Sequence, residues 1–353
     1  MAVIVLGAGA TRGCSFADSN KHACLPPLDT DFFLQLQRIT NPKHQKLITS
    51  VNADVVELFG HNHSATMETV FATLEHTIKM LTTTGKGARA FKLDELKEKR
   101  NRLVQAIAAS LEDSLTWNTD GHSSQESNDC SHHAMLVAKS MLKQDTVISF
   151  NYDCLLDFAL KRYGDGKWNA HYGYGLNLGP RGSAITGDEY WQPTTRADEA
   201  DTIKVYKLHG SLHFQLVEGR GRKSRSKMNL KQRPYTRQAG ENMRFTILPP
   251  ESQKAYDTGV FRGLWQGAAH ALNKAEQIVL IGYSLPVTDM HATALFRTSV
   301  SKKLKSLVVV NPDRTARRRC REVFKRSMQP STRVVSFDYL SEFVAADPRI
   351  WRV

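Results

Sequence analysis

Short runs of apolar, largely β-branched residues punctuate the chain: "AVIVL" (2–6), "TVISF" (146–150), "IKVYKL" (203–208), "QIVLI" (277–281), "LVVV" (307–310) and "RVVSF" (333–337). Runs this short and this continuously apolar suit strands buried on both faces, as in a parallel sheet covered by helices. Helical spacing follows the second and fourth runs, in "DCLLDFALKRY" (153–163) and "TDMHATALFRTSV" (288–300). Strand–helix alternation predicts an α/β protein with a doubly wound, Rossmann-like parallel sheet, whose ligands sit beyond the carboxyl ends of the strands.

The alternation breaks between 43 and 133. There "SATMETVFATLEHTIKML" (64–81) and "LDELKEKRNRLVQAIAASLEDSL" (93–115) have helical spacing, and "NTDGHSSQESNDCSHH" (118–133) is polar and turn-rich. The predicted organisation is a sheet domain over 1–42 and 134–353 with a helical insertion and polar loop over 43–133. His122, Cys130, His132 and His133 are metal-ligating types, but without the spacing of a zinc motif the expectation for 118–133 is a mobile, solvated loop.

The candidate chemistry lies at the ends of the predicted strands. "VLGAGAT" (5–11) follows the first; Gly7 and Gly9 would let the backbone turn tightly and approach a pyrophosphate whose charge favours the N–H groups that follow. The hydride-transfer fingerprint G-x-G-x-x-G fails, because its third glycine falls on Arg12. "SFNYD" (149–153) brings Asn151 and Asp153 to the same edge. As a turn former and a helix N-cap these two also suit plain structural duties. "KLHGS" (207–211) brings His209, "IGYSLPVTD" (281–289) a Gly282–Ser284 turn opening a helix, and "VVVNPD" (308–313) brings Asn311.

Composition narrows the class. The chain has 353 residues, 41% hydrophobic and 24% charged, which are globular values. Its 48 Lys and Arg against 35 Asp and Glu give a formal charge of +13 and favour anionic partners. "EGRGRKSRSKMNLKQRPYTRQ" (218–238) predicts a mobile cationic surface loop, and "RTARRRCREVFKRS" (314–327) a basic helix; either could meet nucleic acid or an acidic partner. The five cysteines are scattered with no C-x-x-C pair, so a disulfide framework is not expected. No export signal and no apolar run near ~20 residues is present, so a soluble, cytoplasmic protein with no membrane association is expected.

In chain order, "GAGAT", "NYD", "HGS", "GYSLPV" and "VVVN" resemble the nicotinamide-dinucleotide motifs of the sirtuin (silent information regulator) family. The combination "FNYD…KLHGS…GYSL" is most similar to the sirtuin-like NAD hydrolases of prokaryotic antiphage defence, some of which associate with a HerA-type ATPase. The resemblance spans most of the chain outside 43–133 and the basic loop. It implies NAD as substrate, a glycohydrolase that depletes NAD as a defence effector, and a homo-oligomer. Carried over to this chain, Gly7, Ala8, Gly9 and Thr11 would hold the diphosphate, and Asn151 and Asp153 would lie near nicotinamide and its ribose. His209 would be the general base, with Gly210 leaving room for the ribose. Gly282 and Ser284 would approach the phosphate–ribose region, and Asn311 the adenosine. "CLPPLDTDFF" (24–33) takes the place of the loop that closes over the cofactor, with Asp29 or Asp31 in contact. The four-cysteine zinc module of protein-deacylating sirtuins is missing, since no cysteine lies between Cys154 and Cys320, so no zinc is expected. The competing readings are an NAD-dependent deacylase, an ADP-ribosyl transferase or cyclase of the same site, and a non-enzymatic nucleotide- or nucleic-acid-binding subunit.

Overall fold

The structure is a computed structural model that describes residues 1–17, 23–83, 92–115, 129–176, 202–217, 227–230, 246–247 and 259–353. Its strands are β1 (Ala2–Leu6), β2 (Thr146–Ser149), β3 (Lys204–Lys207), β4 (Gly210–Ser211), β5 (Phe214–Val217), β6 (Lys227–Leu230), β7 (Thr246–Ile247), β8 (Gln277–Ile281), β9 (Leu304–Val310) and β10 (Met328–Phe337). Six of them form one sheet in the order β3-β2-β1-β8-β9-β10, and every neighbouring pair is parallel. Each apolar run found in the sequence is one of these six strands. Renumbered within the sheet, the order is 3-2-1-4-5-6, the doubly wound arrangement whose direction of growth reverses between β1 and β8.

Helices flank the sheet: α1 (Ala8–Arg12) after β1, α7 (Leu155–Tyr163) and the short α8 (Ala170–Gly173) after β2, α9 (Gly259–Lys274) before β8, α10 (Met290–Ser299) after it, α11 (Arg314–Phe324) after β9 and α12 (Leu340–Ala345) after β10. Because both faces are covered, β1, β2 and β8 are buried at every position, which is why these strands read as unbroken apolar runs rather than alternating ones. Between β1 and β2 the chain forms α2 (Phe32–Gln37), α3 (Pro42–Phe59), α4 (Met67–Thr83), α5 (Leu93–Leu115) and α6 (Ser131–Met135). Val51, Val55, Phe71, Leu74, Leu103 and Ile107 make a second apolar cluster there, which also takes in Leu155, Leu212 and Ile247. Among the described residues no helix is long and apolar enough to cross a membrane.

Two expectations need correction. Of the segment 118–133, residues 118–128, with His122, lie outside the described residues. The rest is not a solvated loop: Cys130 caps α6, and Cys130 and His133 are both buried. The apolar residues after 133 draw this end of the segment into the core. Within 218–238, residues 218–226 and 231–238 lie outside the described residues. Residues 227–230 are strand β6, antiparallel to β5, with Met228 and Leu230 buried. The period of two in "KMNL" is enough to build a strand amid the cations.

Candidate functional site

The predicted site residues gather along the carboxyl edge of the sheet because the strand-end loops are linked in sheet order. Leu208 N–H donates to the Ser149 carbonyl (3.0 Å), Phe150 N–H to Leu6 (3.0 Å), Gly7 N–H to Ile281 (3.0 Å), Gly282 N–H to Val310 (2.8 Å) and Asn311 N–H to Phe337 (3.0 Å). At the switch point between β1 and β8 the two glycine turns are packed together. A Cβ on Gly7 would lie 2.6 Å from Tyr283 Cα, and one on Gly282 (φ +61°) only 2.0 Å from the Ala10 nitrogen. Gly9 N–H donates to the Gly282 carbonyl at 2.9 Å. The Gly7 and Gly9 amides are both used in joining two loops, and the glycines are required by that close approach. Ala8, between them, is exposed.

Asn151 is 8% exposed and its amide is divided. Nδ2 donates to the Gly7 carbonyl and to Thr11 Oγ1, both at 2.9 Å, while Oδ1 is buried without a hydrogen-bond partner. Thr11 in turn donates to Asp153 Oδ2 at 2.5 Å, and Asp153 Oδ1 accepts the Leu155 N–H at 2.9 Å. Both Asp153 oxygens are therefore engaged by the chain. Asp153 accepts the first amide of α7 and holds Thr11, whose hydroxyl accepts in turn from Asn151.

His209 is 4% exposed. Its ring meets Phe150 edge-to-face (5.0 Å between centroids) and lies 6.4 Å from Tyr152, so the residues on either side of Asn151 both contact it. Phe150 stacks on Tyr283 at 4.5 Å and 9°, across the end of β1. His209 Nε2 has no hydrogen-bond partner, and the nearest carboxylate oxygen recorded for it is Asp289 Oδ2 at 3.6 Å. Burial lowers the His209 pKa, Asp289 opposes that shift, and His291 adds to it. Burial thus favours the neutral ring over the imidazolium. Asp289 itself is held by the Tyr283 hydroxyl (2.7 Å) and by Ala292 N–H (3.1 Å) at the start of α10.

The remaining predicted residues are less directly placed. Gly210 has φ +81°, which frees the chain to turn from β3 into β4 behind His209. Ser284 has its carbonyl gripped by Arg319 at 3.0 and 3.1 Å. Asn311 Oδ1 accepts Asp313 N–H at 2.9 Å, a turn that leads into α11. Asp29 accepts the Glu68 N–H at 2.7 Å, so it anchors the start of α4, and burial raises its pKa. Asp31 pairs with Arg12 at 2.5 Å, and Arg12 also donates to the Pro26 carbonyl. The residue that breaks the hydride-transfer fingerprint is thus the clasp that holds the 24–33 segment on α1.

Sequence reasoning missed four contributors. Phe150 and Tyr283 form the aromatic floor, Asp289 faces His209, and Glu68 comes from α4 to bond Thr288 beside Asp289. Phe150 stood inside "SFNYD", and Tyr283 and Asp289 inside "IGYSLPVTD"; Glu68 carried no signal. No family model matches the chain, and no curated protein matches it in sequence.

Proposed function

We propose that this carboxyl edge of the sheet binds NAD+ and that the protein hydrolyses its N-glycosidic bond to nicotinamide and ADP-ribose. The observation that carries the reading is a pair of buried polar atoms, Asn151 Oδ1 and His209 Nε2, left without partners at adjoining strand ends beside the switch point. A buried, unsatisfied acceptor costs about 1–3 kcal/mol, and two of them at adjoining strand ends are explained if another molecule supplies the missing bonds. In this reading the C1′–N bond breaks with its electron pair leaving on neutral nicotinamide, and a water oxygen attacks C1′ and gives its proton to His209 Nε2. Asp289, 3.6 Å away, stabilises the imidazolium so formed. Asn151 Oδ1 accepts from the water or the carboxamide, and Phe150 and Tyr283 give the site an apolar wall. NAD depletion in antiviral defence, as a homo-oligomer or beside a HerA-type ATPase, is the setting the family resemblance implies.

Nicotinamide release by the purified chain, with no acylated peptide present, tests the reading. We expect NAD+ consumption by the wild type and its loss, per folded molecule, in Asn151→Ala, which also strips a donor from the buried Gly7 carbonyl and Thr11 hydroxyl at a stability cost of roughly 1–3 kcal/mol. Consumption only with an acylated peptide would assign a deacylase instead, and NAD+ binding without nicotinamide release would leave a nucleotide-binding subunit.

A further inference from the structure

The formal charge of +13 is unevenly distributed: residues 302–333 contain eleven Lys and Arg against two Asp and Glu. Several of these cations are committed. Arg317 pairs with Asp338, Arg319 holds the Ser284 carbonyl, Lys305 lies 3.1 Å from Glu276, and Lys325 lies 3.7 Å from Glu322. Lys302, Lys303, Arg318 and Arg326 are exposed and form no ion pair among the described residues. Topology brings three of them together. Lys302 and Lys303 precede β9, Arg326 precedes β10, and these neighbouring parallel strands put both turns at the amino edge of the sheet. Ser327 Oγ donates to the Val300 carbonyl (3.1 Å) and Gln329 Nε2 to the Lys302 carbonyl (3.3 Å), which ties the turns side by side. Between them lies a cleft of about 400 Å³ lined by Lys302, Lys303, Lys305, Gln329, Ser331 and Arg333.

Like charges gathered around a concave surface repel one another and focus a positive potential into it. Gln329 and Ser331 add neutral donors suited to phosphate oxygens. No aromatic side chain lines the cleft, so it lacks the stacking platform by which unpaired bases are held. Duplex DNA presents a charge every ~1.7 Å along its axis and needs no such platform. We propose that the amino edge of the sheet at β9 and β10 is a docking surface for the phosphate backbone of duplex DNA, at the end of the sheet opposite the candidate NAD site.

Fluorescence anisotropy with a labelled duplex, across a salt series, tests this with two variants of equal charge. Lys302→Gln/Lys303→Gln/Arg326→Gln removes three of the unpaired cations. Arg38→Gln/Lys46→Gln/Lys139→Gln removes three exposed cations elsewhere. The first should weaken binding by at least about ten-fold near physiological salt and reduce the slope of log K against log salt by roughly 3, as expected for three lost phosphate contacts. The second should leave both near wild type, and a single strand of the same sequence should bind less tightly than the duplex. Equal losses in the two variants would show that bulk charge alone is responsible and overturn the proposal. So would tighter single-strand binding, or no duplex binding by the wild type. Circular dichroism of both variants guards against misfolding, since all six side chains are exposed.

Discussion

His209 and His213 are four residues apart, both are buried, and each has an aspartate oxygen 3.6 Å from Nε2. Their surroundings differ. His213 is built into an interior polar network: its Nε2 lies 3.2 Å from the Tyr174 hydroxyl, which bonds Asp157, and the buried Lys207 ammonium meets Asp157 at 3.0 Å. Burial, opposed by Asp157 and reinforced by Lys207, pushes the His213 pKa down to about 3. Aromatic rings surround both, Tyr174 and Phe214 at His213 and Phe150 and Tyr152 at His209. Among the described residues, however, no group hydrogen-bonds His209 Nε2, and its Asp289 is committed to Tyr283 and Ala292. Burial and a nearby carboxylate therefore do not separate a working histidine from a structural one. The two rings differ in whether the chain itself meets the imidazole nitrogen that faces the carboxylate, and the proposed reading assigns the base to the ring where it does not.

The sharpest way to break the comparison is to remove each ring in turn. His209→Ala should lower NAD+ cleavage per folded molecule by on the order of 10²-fold or more, with a stability loss confined to the space its ring vacates. His213→Ala should do the reverse. It strips partners from the buried Asp157 and Tyr174, costing roughly 1–3 kcal/mol, while turnover per folded molecule stays near wild type. Melting and nicotinamide release measured on the same samples decide it, and a stable, fully active His209→Ala protein would refute the proposed base.

A smaller effect is expected at the carboxylate. Asp289→Asn keeps an acceptor for Ala292 N–H but removes the charge that favours protonated His209. The acid limb of the pH–rate profile should move to lower pH, with activity reduced by less than the about 10²-fold expected for removing the base itself. A profile that does not shift would mean that Asp289 only caps α10.

The His213 side of the comparison makes a prediction about stability. Its folded pKa, about 3, is below the unfolded value near 6.5. Between these values the unfolded chain binds a proton that the folded chain does not, so stability falls as pH drops from about 6.5 toward 3. The slope approaches about 1.4 kcal/mol per pH unit. Urea unfolding at pH 7 and pH 5 should show a loss roughly 2 kcal/mol larger in the wild type than in His213→Gln. Equal losses would place the ring outside the network.

The smallest signal concerns a third histidine. His133 Nδ1 is 3.1 Å from Cys130 Sγ, which also accepts Ser15 N–H at 3.3 Å. Although burial opposes ionisation, these bonds hold the Cys130 thiol down to about 6, whereas burial raises Cys14, Cys24, Cys154 and Cys320. Thiolate absorbance should therefore show a single-cysteine step near pH 6 that is missing in Cys130→Ser. A wild-type titration with no step below pH 8 would contradict the pairing.

Much of the site could be read from local pattern. A glycine pair after β1, an asparagine after β2 and a histidine after β3 are each polar interruptions of an apolar run, and a parallel sheet delivers all such interruptions to one edge. Lys207 could not be read in this way. In "KVYK" it looks like the polar side of an alternating strand, yet it is 1% exposed and neutralised by Asp157, a partner fifty residues away. Asp289 was legible only as a helix opener, because its second duty depends on where β3 ends.

The residue sequence by itself determined the six strands, the parallel class of the sheet and the edge at which Asn151 and His209 emerge. These follow from short-range periodicity and from burial on both faces, which any stretch of chain carries locally. Only the tertiary structure decided which polar atoms are satisfied: that Gly9 spends its amide on Gly282, that Asp153 is held by Thr11 and Leu155, and that Asn151 Oδ1 and His209 Nε2 are left over. Hydrogen-bond satisfaction is a property of atoms brought within about 3 Å from distant parts of the chain. Sequence spacing does not encode it, and it appears only once the sheet order and its crossovers are in place.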